Sequence, residues 1–203
     1  AFYHDEDIHT KTASEVFHIP KGEVTPLMRN RAKAVNFGIV YGISDYGLSK
    51  DLNISRKEAK EYIDNYLKNY EMVKRYMEDI IKTGKKEGYV ETILNRRRYI
   101  PELKSRNYNV RSFGERIAMN TPIQGSAADI IKVAMVKVFQ ELNRRKLKSR
   151  LILQVHDELI VEAFKDEVEE VKSIIKDIME NSIKLDIPLK VDLNTGDNWY
   201  ESK

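Results

Sequence analysis

Four side chains between Met28 and Gly42 have the types and spacing to hold a charged, planar ligand. Arg29, Lys33, Phe37 and Tyr41 recur every four residues. On a helix each such step turns about 40° and climbs roughly 6 Å, so the four form one slowly winding stripe about 18 Å long. The cationic end lies near the helix N-terminus, where the helix dipole favours an anion. An arginine fork and a lysine point charge suit a phosphate chain, and Phe37 one turn further on can stack against something flat. Phosphate followed by a planar ring describes a nucleotide. The same spacing fits an amphipathic helix with a basic exposed edge and with Phe37 and Tyr41 in the core.

A second candidate is acidic. Leu151–Val155 and Leu159–Ala163 are apolar stretches on either side of His156, Asp157 and Glu158. They predict a buried β-hairpin with a three-residue connection, carrying two carboxylates at its tip. Aspartate is ordinary in turns, so the pair could equally be structural.

The elements that must position these groups are legible in outline. Thr25-Pro26 reads as an N-cap with proline at the first helical position, and Gly42 as the stop. Thr10 to Phe17 reads as a short helix. Ser55 with Glu58 forms a capping-box pattern opening a long helical segment toward Lys82, with a break near Tyr70. Its tyrosines, at a spacing that could stack on bases, read better as core and boundary residues. Gly84 and Gly88 close that region. Tyr89–Leu94 and Arg98–Ile100 around Asn95-Arg96-Arg97 predict a small hairpin whose arginines could clamp phosphate or simply solubilise a turn. Asn107 to Met119 is helical in pattern, Thr121-Pro122 breaks it, and a second helix runs from about Gly125 to Lys146. A helix near Asp166 to Lys184 and a strand at Pro188–Leu193 follow. The polar opening with His4, Asp5, Glu6, Asp7 and His9 has no regular ligand spacing and reads as a solvated loop, not a metal site.

Several of these residues also carry a resemblance. Lys33, Asn36-Phe37-Gly38 and Tyr41-Gly42, with Arg29 ahead of them, resemble the fingers-helix motif B of family A DNA polymerases. QVHDE at 154–158 resembles the palm motif C of the same family, in the same order and at about the same separation. The likeness extends through DIHTKTA, GYVETILNRRRYIP, ERIAMNTPIQGSAADI and the C-terminal tail.

The resemblance implies an α+β fold: a helical fingers subdomain over residues 1–106, then part of a palm over 107–203 with an antiparallel β-hairpin and flanking helices. It implies template-directed DNA synthesis in replication and repair by nucleotidyl transfer with two magnesium ions, primer-template DNA and deoxynucleoside triphosphates being the partners. On this reading Asp157 is the essential metal ligand, Glu158 assists it, and His156 lies near the primer end. Arg29 and Lys33 neutralise the triphosphate, with Lys33 a proton donor to pyrophosphate, and His9 lies beside the same phosphates. Phe37 stacks on the incoming base and sugar, in the family form expected to discriminate against dideoxynucleotides, and Tyr41 holds the template-base position until the fingers close. Arg98 contacts the template backbone. Arg116, Asn120 and Gln124 meet minor-groove acceptors that every correct pair presents alike.

In the family the other metal-binding aspartate belongs to motif A, a DYSQIELR-like strand absent from these 203 residues. The chain is therefore expected to work with an upstream polymerase segment and to be inactive alone. A single-subunit RNA polymerase part is an alternative, as is a non-catalytic nucleic-acid-binding fragment or split subunit.

Bulk properties agree with a globular chain: 41% hydrophobic and 33% charged residues, net charge +3 and no cysteine. Disulfides and thiolate metal sites are excluded. Without an apolar run long enough for a membrane span or a signal peptide, a cytoplasmic, non-membrane setting is expected, nucleoid-associated in a bacterium. Basic clusters at Arg96–Arg98 and 144–150 contrast with an acidic 158–180. That asymmetry fits a face for a phosphate backbone or ordinary solvated helices.

Overall fold

A computed structural model describes residues 6–202; His4 and Asp5 of the polar opening lie outside them. The fold is α+β, mostly helical with two small antiparallel sheets. Among the described residues, no helix is long and apolar enough to cross a membrane. The chain divides into two compact units, one through Gly125 and one from Ser126.

The first unit begins with α1 (Ile8–Phe17), capped by Asp7, whose Oδ1 accepts from the His9 and Thr10 amides at 2.9 Å each. Helix α2 (Pro26–Val40) opens as expected: the Thr25 hydroxyl accepts from the Met28 amide and Pro26, lacking an N–H, sits where none is needed. It ends at Tyr41, and Gly42 follows with φ +69°. A Cβ on Gly42 would lie 2.5 Å from Met119 and 2.9 Å from Arg116, so that position demands glycine twice over. Helices α3 (Asp45–Leu52) and α4 (Arg56–Asn69) start from serine caps at Ser44 and Ser55. The box at Ser55 is one-sided, because the Glu58 carboxylate accepts from the Tyr62 hydroxyl instead. Tyr70 then separates α4 from α5 (Glu71–Glu87). Val16, Val35, Ile39, Leu48, Ala59 and Tyr66 form the core that locks α1, α2, α3 and α4 together. Each buried valine, leucine or isoleucine among them contributes about 1.5–3 kcal/mol.

Gly84 does not end a helix. It lies inside α5, where a Cβ would come within 2.9 Å of Leu103 and 3.3 Å of Val90, so close approach is its function; Gly88, with φ +85°, is the stop. Strands β1 (Tyr89–Glu91) and β2 (Arg97–Tyr99) pair antiparallel. Arg97 thus belongs to a strand and not to the turn, with Glu91 opposite it in the register accepting its side chain at 2.8 Å. Val90, Ile100, Leu103 and Ala118 make a second small core.

The expected break at Thr121-Pro122 does not occur: α6 is one helix, Tyr108–Arg144, with Pro122 inside it. An interior proline costs about 3 kcal/mol through one lost hydrogen bond and a clash with the preceding turn. Burial of Ala118 before it, and of Ile131, Ala134, Val138 and Leu142 after it, outweighs that local penalty.

In the second unit β3 (Arg150–Val155) and β4 (Glu158–Glu162) form the expected hairpin, but Val155 pairs with Glu158, so the connection is two residues and Glu158 is already in the strand. A bulge between Leu151 and Leu153 shifts the register. The hairpin is not buried throughout. Leu151, Leu159 and Val161 pack on Val138, Leu142, Val171, Ile174 and Ile175, whereas Ile152, the unpaired residue of the bulge, and Leu153, which the bulge shifts into register with Ile160, are both exposed. Helix α7 (Val168–Glu180) is shorter than expected at both ends, entered through a 3-10 turn at Lys165–Glu167. Pro188–Leu193 forms no strand. Pro188 has no N–H to give a ladder, and the Val191 amide is taken by the Glu180 carboxylate at 3.2 Å.

Candidate nucleotide and metal-binding residues

In the first unit the stripe on α2 faces solvent. Phe37 and Tyr41 are 46% and 44% exposed, and their rings stack with centroids 6.3 Å apart and planes 17° from parallel. The core that α2 supplies is Ala32, Val35, Gly38 and Ile39 instead. Two large aromatic faces left in water beside a cation form a surface for a flat ligand. Lys33 Nζ sits 6.0 Å from the Phe37 ring centre. Arg29 is not free: its Nε and Nη2 donate to Asp7 Oδ2 at 2.8 and 2.6 Å.

Asp7 therefore does two jobs, capping α1 with one oxygen and binding α2 with the other. The Thr10 amide and then the Arg29 side chain hold its carboxyl down at about 2. The pattern of an aspartate just before a helix was readable as a cap, but a partner 22 residues away was not. His9 follows from the first turn of α1, its ring 5.8 Å from that of Phe37. Burial keeps its pKa below the usual histidine value; Asp7 opposes this, while Arg29 and Lys33 reinforce it. Behind it lies a polar cluster the sequence did not reveal: Asn36 Nδ2 is 2.9 Å from His9 Nδ1 and 3.1 Å from Thr12 Oγ1. Arg29, Lys33, Phe37, Tyr41 and His9 thus belong to one assembly of α1 and α2.

Because α6 is continuous, Arg116, Asn120 and Gln124, four residues apart, lie on one helical face. Arg116 packs against Gly42 at the end of α2 and its Nη1 donates to Ser112 Oγ at 3.3 Å. Asn120 Oδ1 is buried with no hydrogen-bond partner. Gln124 is exposed. The hairpin arginines lean on the same helix: Arg98 donates to Thr121 Oγ1 at 3.3 Å and Arg96 to the Gly125 carbonyl at 3.2 Å. Arg97 instead lies over the Tyr89 ring, 4.5 Å from its centre.

In the second unit His156, Asp157 and Glu158 are all exposed at the β3–β4 turn. His156 takes φ +52°, and its carbonyl accepts from Gln154 Nε2 at 2.7 Å, bracing the turn. Glu158 Oε2 accepts from the indole N–H of Trp199, the sole tryptophan, at 3.3 Å. Among the described residues, no lysine or arginine pairs with Asp157, and no three His, Asp or Glu side chains converge as a metal-binding group. Asp157 on the braced turn and Glu158 at the start of β4 are carboxylates, the donor class that magnesium takes.

Comparison with known proteins identifies the family. The family model for DNA polymerase family A matches residues 1–201. The chain is 61% identical to DNA polymerase I of Bacillus subtilis strain 168 and 59% identical to DNA polymerase I of Bacillus caldotenax, in each case over all of its 203 residues. It spans 23% of the length of either relative. Among solved structures, the POL domain of Pol1 from M. smegmatis, in complex with DNA primer-template and dNTP, superposes with a TM-score of 0.92 at 46% identity, covering 97% of this chain and 35% of that one. A family match along almost the whole sequence and identities of this size establish that the chain belongs to DNA polymerase family A.

Proposed function

We propose that this chain is the fingers part, over residues 1–106, and the palm part, over 107–203, of a DNA-directed DNA polymerase that acts on primer-template DNA and deoxynucleoside triphosphates. The observation that carries the reading is the exposed stripe of α2: Phe37 and Tyr41 stacked in solvent beyond Lys33, on the helix whose Arg29 is tied to α1.

In this reading Arg29 and Lys33 meet the triphosphate of the incoming nucleotide. Lys33 balances charge as it builds on the leaving pyrophosphate and gives it a proton, while His9 donates to the same phosphates. Phe37 stacks on the base and sugar, and Tyr41 occupies the place of the templating base until the fingers close. Arg98 holds the template backbone, and Arg116, Asn120 and Gln124 test the shape of the new pair from its minor groove without reading sequence. His156 positions the primer end. Asp157 and Glu158 would hold magnesium, which when bound supplies Lewis-acid stabilisation of the attacking and departing oxygens. The primer 3′-hydroxyl attacks the α-phosphorus and pyrophosphate leaves, so the protein's task is positioning and charge balance rather than covalent chemistry.

Two carboxylates are one short of a family A site, and a further carboxylate motif outside these 203 residues completes it. The chain then works together with an upstream polymerase segment in replication and repair. Lys33→Ala and Phe37→Ala in the complete polymerase test the nucleotide half. Each should raise the KM for deoxynucleoside triphosphates by about tenfold or more while leaving primer-template affinity in place. Equal losses of DNA and nucleotide binding would assign α2 a structural role instead.

A further inference from the structure

Behind His9 the hydrogen-bonding groups can be followed from one to the next. The Thr12 hydroxyl has one proton, and its shortest contact is 2.8 Å to the Ile8 carbonyl, which can only accept. Thr12 Oγ1 must therefore accept from its other neighbours. Asn36 presents Nδ2 at 3.1 Å and Oδ1 at 3.2 Å to that oxygen, and only Nδ2 brings a proton to it. The Tyr70 hydroxyl, 3.4 Å from Thr12 Oγ1, lies on the far side of the cluster in sequence. The structure places Asn36 Nδ2, rather than Oδ1, beside His9 Nδ1 at 2.9 Å, and the second amide proton is directed there. Nδ1 then carries no proton of its own, and in a neutral ring the proton resides on Nε2.

We propose that Asn36 is a positioning residue that locks His9 in its Nε2–H tautomer, so that the ring presents a donor to a phosphate oxygen of the incoming nucleotide. The inference rests on the nucleotide-binding reading of α1 and α2. Its chemical sense is a choice of sign. A neutral ring protonated on Nδ1 would turn a lone pair toward phosphate oxygens and repel them, whereas the tautomer held by Asn36 attracts them. Protonation to imidazolium would also provide a donor, but burial together with Arg29 and Lys33 on α2 disfavours it, against Asp7 at the helix cap. Thr12 supports the device from α1 itself and Tyr70 from the junction of α4 and α5. Asn36 acts through His9 and need not touch the nucleotide.

Nitrogen NMR of the histidine rings reads the tautomer directly. The chain has four histidines, and loss of one signal set in His9→Gln assigns the ring. Above the pKa of the ring, the expected spectrum has an unprotonated Nδ1 and a protonated Nε2. Asn36→Asp, nearly the same shape but an acceptor only, should move the neutral ring's proton to Nδ1. Asn36→Leu should leave a tautomer mixture. In the complete polymerase, Asn36→Asp should then give a nucleotide KM close to the parent's at acidic pH, where the imidazolium donates from both nitrogens. It should rise by about tenfold once the ring is neutral, the size of one charge-assisted hydrogen bond. A merely structural defect would raise KM equally at every pH. A protonated Nδ1 in the parent chain, an unchanged tautomer in both Asn36 variants, or a pH-independent KM shift in Asn36→Asp would overturn the proposal. An unchanged nucleotide KM in His9→Ala, which keeps no donor, would overturn the nucleotide reading on which it rests, a failure distinct from a wrong tautomer.

Discussion

Replacing Asp7 by asparagine should separate the two jobs that this carboxylate performs. Asparagine caps a helix about as well as aspartate, so the bonds to the His9 and Thr10 amides survive. The charge facing Arg29 does not. Asp7 has its pKa depressed from 3.8 to about 2, which in full is worth roughly 2.5 kcal/mol. Both partners are 41% exposed, so solvent screening reduces the charge contribution to about 1 kcal/mol. Asp7→Ala loses the cap as well and should cost about 2 kcal/mol in total. Because the folded-state pKa lies below the unfolded one, this stabilisation is fully present above pH 3.8 and is lost as pH falls toward 2. Urea unfolding followed by circular dichroism should show Asp7→Asn about 1 kcal/mol below the parent at pH 7, with the gap closing below pH 3.8. An Arg29→Gln background should erase most of the difference. A gap that does not change with pH, or an asparagine variant as unstable as the alanine one, would refute this division of labour. The consequence for function is that this ion pair, beside the Asn36 hydrogen bonds and the shared core, helps set His9 relative to the α2 stripe.

Two further substitutions probe other parts of the account. Gly114→Ala in α6 would place a Cβ 2.9 Å from the Leu103 amide nitrogen and 3.0 Å from the Glu102 carbonyl carbon. Backbone must then move, and the strain should exceed the helix-propensity gain by about 1–2 kcal/mol; a higher melting temperature than the parent would refute that packing. Phe37→Tyr in the complete polymerase should relax discrimination against dideoxynucleotides, and equal chain-termination frequencies before and after would contradict the stacking role given to Phe37.

Local signals were read well where the structure is local. The Thr25-Pro26 start of α2, the Ser55 cap, the pause at Tyr70 and the hairpin carrying Asp157 and Glu158 each depend on residues adjacent in sequence. The continuity of α6 through Pro122 was not legible, because a breaker's penalty is local while the burial that overrules it is distributed along the helix. Pro188–Leu193 has strand-like composition but no partner ladder, and a strand exists only with a partner. The stripe of Arg29, Lys33, Phe37 and Tyr41 was visible as a pattern, yet whether its rings were core or surface depended on which neighbouring face of α2 found α1 and α4. Asp7 with Arg29, and Asn36 with His9 and Thr12, are pairings across tens of residues that no local spacing encodes.

The most direct test is magnesium-dependent extension of a primer-template by one nucleotide. It compares this 203-residue chain, the complete polymerase that carries it, and the complete polymerase with Asp157→Ala. The account predicts extension by the complete enzyme alone, with the Asp157 variant retaining DNA binding but losing chemistry. Extension by the 203 residues on their own, or undiminished extension by the Asp157→Ala enzyme, would contradict it.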